Sequence, residues 1–225
     1  MSKRILTCLV PVVFLAACVS SFTLVTPGTV AIEDLIVQAG TGWNNAPAHQ
    51  RIYARNTSAA WTKDGLLLDR LVFIPAVPDG EPLLISRERT AAMPVFRADM
   101  LPNELEELVE SSIVKFFGEG QSVVSTENLR PHRFGDNRGI LFDLSATVTE
   151  SPEYKGLVGA FIANDKLYVM YFLGAVPHYY SKHITEAEAI IKSATISVRP
   201  LRCSQVWEFQ LMPGNRLYFL VQATK

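Results

Sequence analysis

Two cations, Lys3 and Arg4, stand in front of an apolar run of 13 residues (5–17), broken only by Thr7 and Pro11 and ending in small residues. A bilayer-spanning helix needs about 20 apolar residues, so this shorter run has the outline of a cleaved export signal. An uncleaved anchor is the weaker reading. Export constrains everything downstream, because the body must then fold outside the cytoplasm with whatever cysteines survive processing. The run closes at Cys18, Cys8 lies inside the leader, and Cys203 is the third and last cysteine of the 225 residues.

Leu15-Ala16-Ala17-Cys18 resembles the lipobox of bacterial lipoproteins, in which a dedicated peptidase cuts before a cysteine whose thiol already carries a diacylglyceryl group. The residue types suit that chemistry. Small side chains let an extended backbone enter a protease cleft, Leu15 fills an apolar subsite, and only a thiol can become the thioether. A conventional cleaved signal with an incidental cysteine is the alternative. The resemblance implies a signal peptide over 1–17, a lipidated tether over 18–28 and one globular domain over 29–225. In lipoproteins of this type an aspartate directly after the cysteine marks retention in the inner membrane. Here that residue is Val19, which implies the outer membrane, lipid-anchored on its periplasmic face.

With Cys8 removed and Cys18 acylated, Cys203 is the one free thiol and no internal disulfide can form, so the fold must rest on its hydrophobic core. Cys203 itself reads as a small buried hydrophobe. The composition allows such a core: 48% of residues are hydrophobic and 19% charged, with a formal charge of -1. Loss of Lys3 and Arg4 leaves 19 cations against 22 anions, or -3. Neither balance provides the cationic surface that nucleic-acid binders use against phosphate, and that partner is disfavoured. Without a polybasic tract, membrane attachment falls to several acyl chains, since one chain alone holds only marginally.

Residues 29–38 alternate imperfectly and suggest a first strand; 39–60 read as a loop rich in Gly, Asn and Ala, with a brief strand near 51–53. Asp64-Gly65 and Asp79-Gly80 are turn signals around apolar runs, which places a β-hairpin over 66–86. The clearest helix is 102–117, opened by Pro102, acidic in its first turns and stopped by Gly118. Its stripe of Leu105, Leu108, Val109, Ile113, Phe116 and Phe117 should cover a sheet. Strands follow at 123–125, 133–134, 139–148, 156–162 and 166–173, with Asn164-Asp165 as a tight reversal. A second helix is expected from Ser181 or Thr185 through Ala194, with Thr185 and Glu188 at capping-box spacing. A hairpin over 206–221, turning at Pro213-Gly214-Asn215, closes the chain.

This order predicts an α+β fold: an antiparallel β-sheet covered by two main helices. The stretch Lys166-Leu-Tyr-Val-Met-Tyr, with Tyr179-Tyr180 and 187–196 (AEAIIKSATI), resembles the closing strand and helix of the PsbP-like family. That family includes photosystem extrinsic proteins and bacterial lipoproteins. The resemblance covers about residues 60–197 and implies an α/β/α sandwich.

Motifs with strong local chemistry are absent: no Gly-x-Ser-x-Gly elbow, P-loop, His-Glu-x-x-His or EF-hand string occurs. Ser112 and Lys115 have Ser-x-x-Lys spacing, but no Ser-Asp-Asn or Lys-Thr-Gly accompanies them, and the pair reads as chance on a helix committed to packing. His178 and His183 are the closest histidine pair, lacking a cysteine or a local carboxylate, and no metal or cofactor is expected; His49 and His132 stand alone. Glu104, Glu106, Glu107 and Glu110 read as a solvated helix face, and Asn56-Thr57-Ser58 as an irrelevant sequon. Trp43, Trp61, Tyr179 and Tyr180 stand in or beside loops, where they either pack or form an exposed binding patch. The expectation is a non-enzymatic envelope lipoprotein that binds a protein partner or supports envelope assembly. A small-molecule or glycan-binding lipoprotein is the alternative, and a hydrolase with scattered residues the third.

Overall fold

The computed structural model describes residues 21–50, 59–84, 92–117, 120–149 and 151–197. Cys18 with its leader, the strand expected near 51–53, the sequon, Gly118, Cys203 and the terminal hairpin lie outside these residues.

The fold is built outward from two strands, β9 (Tyr154–Ala163) and β10 (Lys166–Ala175), joined by Asn164 and Asp165. Both turn residues take the left-handed backbone, with φ of 51° and 58°, the form that matches the twist of a two-residue hairpin. Nearly every residue of β10 is buried, on both faces, because it lies in mid-sheet. It pairs on its other side with β6 (Asp69–Pro78), which leads to β5 (Ala59–Thr62), β4 (Trp43–Asn45) and finally β1 (Thr23–Val25). Beyond β9 come β8 (Asn137–Val148) and β7 (Ser122–Phe134), completing an eight-stranded sheet, antiparallel at every pairing. A second, three-stranded sheet joins β2 (Gly28–Ile32), β3 (Leu35–Ala39) and the short β11 (Thr195–Ile196).

Side-chain alternation along the central strands divides the interior into two layers. Leu167, Val169, Tyr171 and Leu173 face one layer, shared with Leu105, Leu108, Val109 and Phe116 of helix α1 (Pro102–Phe117) and with Leu83, Leu84 and Phe96. Tyr168, Met170 and Phe172 face the other, shared with Ala187, Ile190 and Ile191 of helix α2 (His178–Lys192) and with Leu35, Val37 and Trp43. The second layer is rich in rings. Phe134, Phe161 and Tyr168 stack in series at centroid separations of 4.8 and 4.9 Å. Two glycines let α2 settle on the sheet: a Cβ at Gly159 would fall 2.6 Å from Ile191 Cγ2, and one at Gly174 would fall 2.6 Å from Tyr180 Cα.

The expected two-helix α/β/α sandwich is overturned. Among the described residues eleven strands stand against two α-helices, and the chain is mostly antiparallel β-sheet. The physical reason is width. Seven strand spacings of about 4.8 Å make a sheet roughly 34 Å across, whereas one helix covers about 10 Å. The faces are therefore completed by other elements, with Leu83, Leu84 and Phe96 beside α1 on one side and the three-stranded sheet beside α2 on the other.

Several local expectations change with it. Residues 29–38 form two strands, because Glu33 takes φ 57° and the Glu33-Asp34 turn folds β2 onto β3. The hairpin placed at 66–86 is displaced to β5–β6, turning over residues 63–68, while Pro82–Leu84 carries only an isolated bridge from Pro82 to Val95. Residues 122–134 are one continuous edge strand with an irregularity between Glu127 and Arg130. α1 has the expected extent, and Glu104 accepts the Leu101 N–H at 2.7 Å at its start. α2 begins earlier than expected, at His178, so Thr185 is internal and caps nothing. Residues 23–25, read as tether, supply β1.

Candidate functional site

The sequence around β5 and β6 places charge where α2 arrives. Asp69, fully buried at the start of β6, accepts three hydrogen bonds from the turn that precedes it: from Thr62 Oγ1 at 3.0 Å, Lys63 N at 2.8 Å and Asp64 N at 2.8 Å. The Gly65 N–H in turn donates to Thr62 Oγ1 at 2.8 Å. This carboxylate shapes the turn and aims Asp64 toward α2.

Successive turns of α2 answer it. His183 Nε2 lies 2.6 Å from Asp64 Oδ2, and Lys182 Nζ donates to both Asp64 oxygens at 2.9 and 2.7 Å. One turn on, Glu186 accepts from Lys63 Nζ at 2.6 Å, from Trp43 Nε1 at 2.9 Å and from the Thr41 hydroxyl. Lys63 also donates to Thr41 and sits 5.0 Å from the Trp43 ring centroid. The hydrogen bond to His183, then that to Lys182, holds the Asp64 carboxyl below the usual carboxylate range. For Glu186 burial pushes the carboxyl up, but the donors Lys63, Thr41 and Trp43 outweigh it and hold it below its ordinary value.

One oxygen of Asp64, one of Asp69 and a ring nitrogen of His183 lie within 4.8 Å of one another, a donor set with some aptitude for a divalent cation. The atoms are already engaged, however: Asp69 by three donors of its own turn and Asp64 by an ammonium and an imidazole. The arrangement is a charge-paired clasp that fastens α2 to the 63–69 turn. His178 does not join it, because a five-residue separation on a helix turns two side chains about 140° apart. His178 is exposed and packs edge-on against Tyr179 at 5.1 Å.

The four aromatics do not form one exposed surface. Trp43 and Trp61 are 0% and 1% exposed, inside the second layer, where Trp61 meets Phe73 at 4.6 Å. Tyr179 and Tyr180 are half-buried on the first turn of α2, against opposite layers of the core. Ser112 is fully buried in α1, whereas Lys115 Nζ donates to the Ala92 carbonyl at 3.3 Å. His49 lies in a single 3-10 turn and His132 against the Lys192 carbonyl at 3.4 Å. An apolar cavity of about 30 Å3 opens between α1 and the sheet, walled by Leu83, Leu84, Val109, Phe116, Phe117 and Tyr171. The clasp escapes sequence reasoning because its partners are 118 to 145 residues apart in the chain, and Asp64 there announces only a turn.

No family model matches the chain, and no curated protein matches it. Among solved structures, the chain is similar to the solution structure of cyanobacterial PsbP (CyanoP) from Synechocystis sp. PCC 6803. The likeness has a TM-score of 0.53 and covers 80% of this chain and 95% of that one, at 10% sequence identity. The body is therefore PsbP-like in fold. At that identity the likeness speaks to the path of the backbone and leaves the work of the protein to be argued from its own residues.

Proposed function

We propose that this protein is a non-enzymatic lipoprotein of the bacterial cell envelope, held by Cys18 on the periplasmic face of the outer membrane, whose body binds a protein partner. The observation that carries the reading is Leu15-Ala16-Ala17-Cys18 behind a basic start and a 13-residue apolar run. Val19 after the cysteine supports the outer membrane. The partner rests on β7, a 13-residue strand at one edge of the sheet whose outer backbone is unpaired by any described strand. Such an edge suits the addition of an extended segment from another protein.

Wild-type protein recovered from the native envelope should begin at Cys18 and carry the mass of a diacylglyceryl group, and Cys18→Ser should lose both cleavage and attachment. An unmodified N-terminus elsewhere would overturn the anchor. Gentle crosslinking in the native envelope, followed by co-purification, should capture a partner whose yield falls when Val124→Pro removes a backbone donor from β7. An undiminished yield would move the partner off that edge.

A further inference from the structure

We propose that the β1 edge of the sheet rests on the lipid surface, with Phe22 and Leu24 seated among the headgroups and upper acyl carbons. The proposal deepens the reading above and depends on lipidation of Cys18.

Three observations converge on that edge. The first is reach. A chain spans at most about 3.6 Å per residue, so Phe22 lies within roughly 14 Å, and Leu24 within roughly 22 Å, of the anchoring Cys18. The second is exposure: Phe22 is 40% and Leu24 70% exposed. Leu24 lies on the opposite side of β1 from Val25, which packs against the core, and Phe22 stands just ahead of the strand, two residues before Leu24. The third is charge. Residues 19–32 contain no ionisable side chain, and among the described residues β1 pairs with Trp43, Asn44 and Asn45 alone. Neither β1 nor its partner β4 brings an ionised side chain to the lipid, whereas the opposite edge carries Glu127, Arg130, His132 and Arg133 on β7.

The same features argue against a protein occupant. Among the described residues β1 presents three residues of backbone with no strand beside them, a short stretch for an added strand next to the 13 residues of β7. Two apolar side chains beside a covalent anchor add to its hold on the membrane by the ordinary burial of apolar area, and they fix which edge of the body faces the bilayer. The sheet then stands with β7 about 34 Å from β1, toward the periplasm, where a partner can reach it.

The test uses the full lipidated chain with Cys203→Ser, so that an added cysteine is the one free thiol. A polarity-sensitive fluorophore is placed through Leu24→Cys and, as a control, through Val123→Cys, which is 75% exposed on the far edge. Each protein is reconstituted into phosphatidylethanolamine–phosphatidylglycerol vesicles brominated at shallow acyl carbons. Seating about 5–10 Å into the boundary layer brings position 24 within reach of bromine and should remove about half of its emission or more, leaving position 123 unchanged. Equal quenching at the two sites, or none at 24, in protein whose intact mass shows the diacylglyceryl group would overturn this inference and leave the anchor standing. An intact mass without that group would overturn both.

Discussion

Ser112 is the one polar residue among the five buried positions of α1, and its hydroxyl has no hydrogen-bond partner among the described residues. Its neighbour Ser111 shows the usual solution, returning its hydroxyl to the Glu107 carbonyl at 2.7 Å. A buried hydroxyl without a partner costs about 1–3 kcal/mol, while Ala in its place forfeits little packing. Ser112→Ala should therefore stabilise the protein by up to about 1 kcal/mol, read as a rise of about 2–4 °C in melting temperature. A fall of similar size would show that the hydroxyl is bonded after all. The clasp makes the opposite case. Glu186 has its carboxyl held low in the fold, so its contribution is present above the ordinary carboxylate range and is lost as pH falls through the depressed value. Glu186→Gln leaves Lys63 half-buried without its counter-charge and should cost about 1–2 kcal/mol at neutral pH. Unfolding of both proteins in denaturant at pH 7 and again below about pH 4 checks this, because the gap between them should close on acidification. A gap that persists in acid would assign the effect to shape rather than charge.

Among the elements, those whose signals are local are the ones legible in the sequence. α1 carries Pro102 at its first position and a continuous apolar stripe, and its observed limits agree with the expected ones. The reversal between β9 and β10 is equally plain, since Asn164-Asp165 separates two apolar runs. The start of α2 is not, because its first turn, from His178 to Ser181, offers rings and hydroxyls and is fixed by the close approach of Tyr180 to Gly174. β7 hides for the reverse reason. Pro131 and four ionisable residues look like loop, yet an edge strand tolerates proline and exposed charge. The turn itself is open to test. Asp165 sits at φ 58°, where glycine pays no steric penalty, so Asp165→Gly should stabilise the hairpin by a few tenths to about 1 kcal/mol. Hydrogen exchange at the ends of β9 and β10 measures it locally, and faster exchange there would refute the assignment of strain to Asp165.

For the molecule as a whole, the cysteine arithmetic and the two apolar layers make one argument. The proposed acylation of Cys18 leaves Cys203 as the one free thiol and no crosslink to restrict the unfolded state, so on that reading the native state must be held by burial on both faces of one wide sheet. The layers supply that burial: β9 and β10 contribute to each, and large side chains such as Trp43, Trp61, Phe161 and Phe172 are almost completely removed from water. The sequence discloses the need for such a core but not its layout, because the strand pairings that enclose it join distant segments, Leu71 to Phe172 among them. Reductant should accordingly leave the melting temperature of a soluble body beginning at Val19 unchanged. For a body of this size about 1 kcal/mol corresponds to a shift of about 2–4 °C, so a fall beyond that range on adding dithiothreitol would reveal a covalent contribution. Since one thiol cannot bridge to itself, that contribution would have to be a Cys203-linked dimer, and sedimentation before and after reduction would show it as a change in mass.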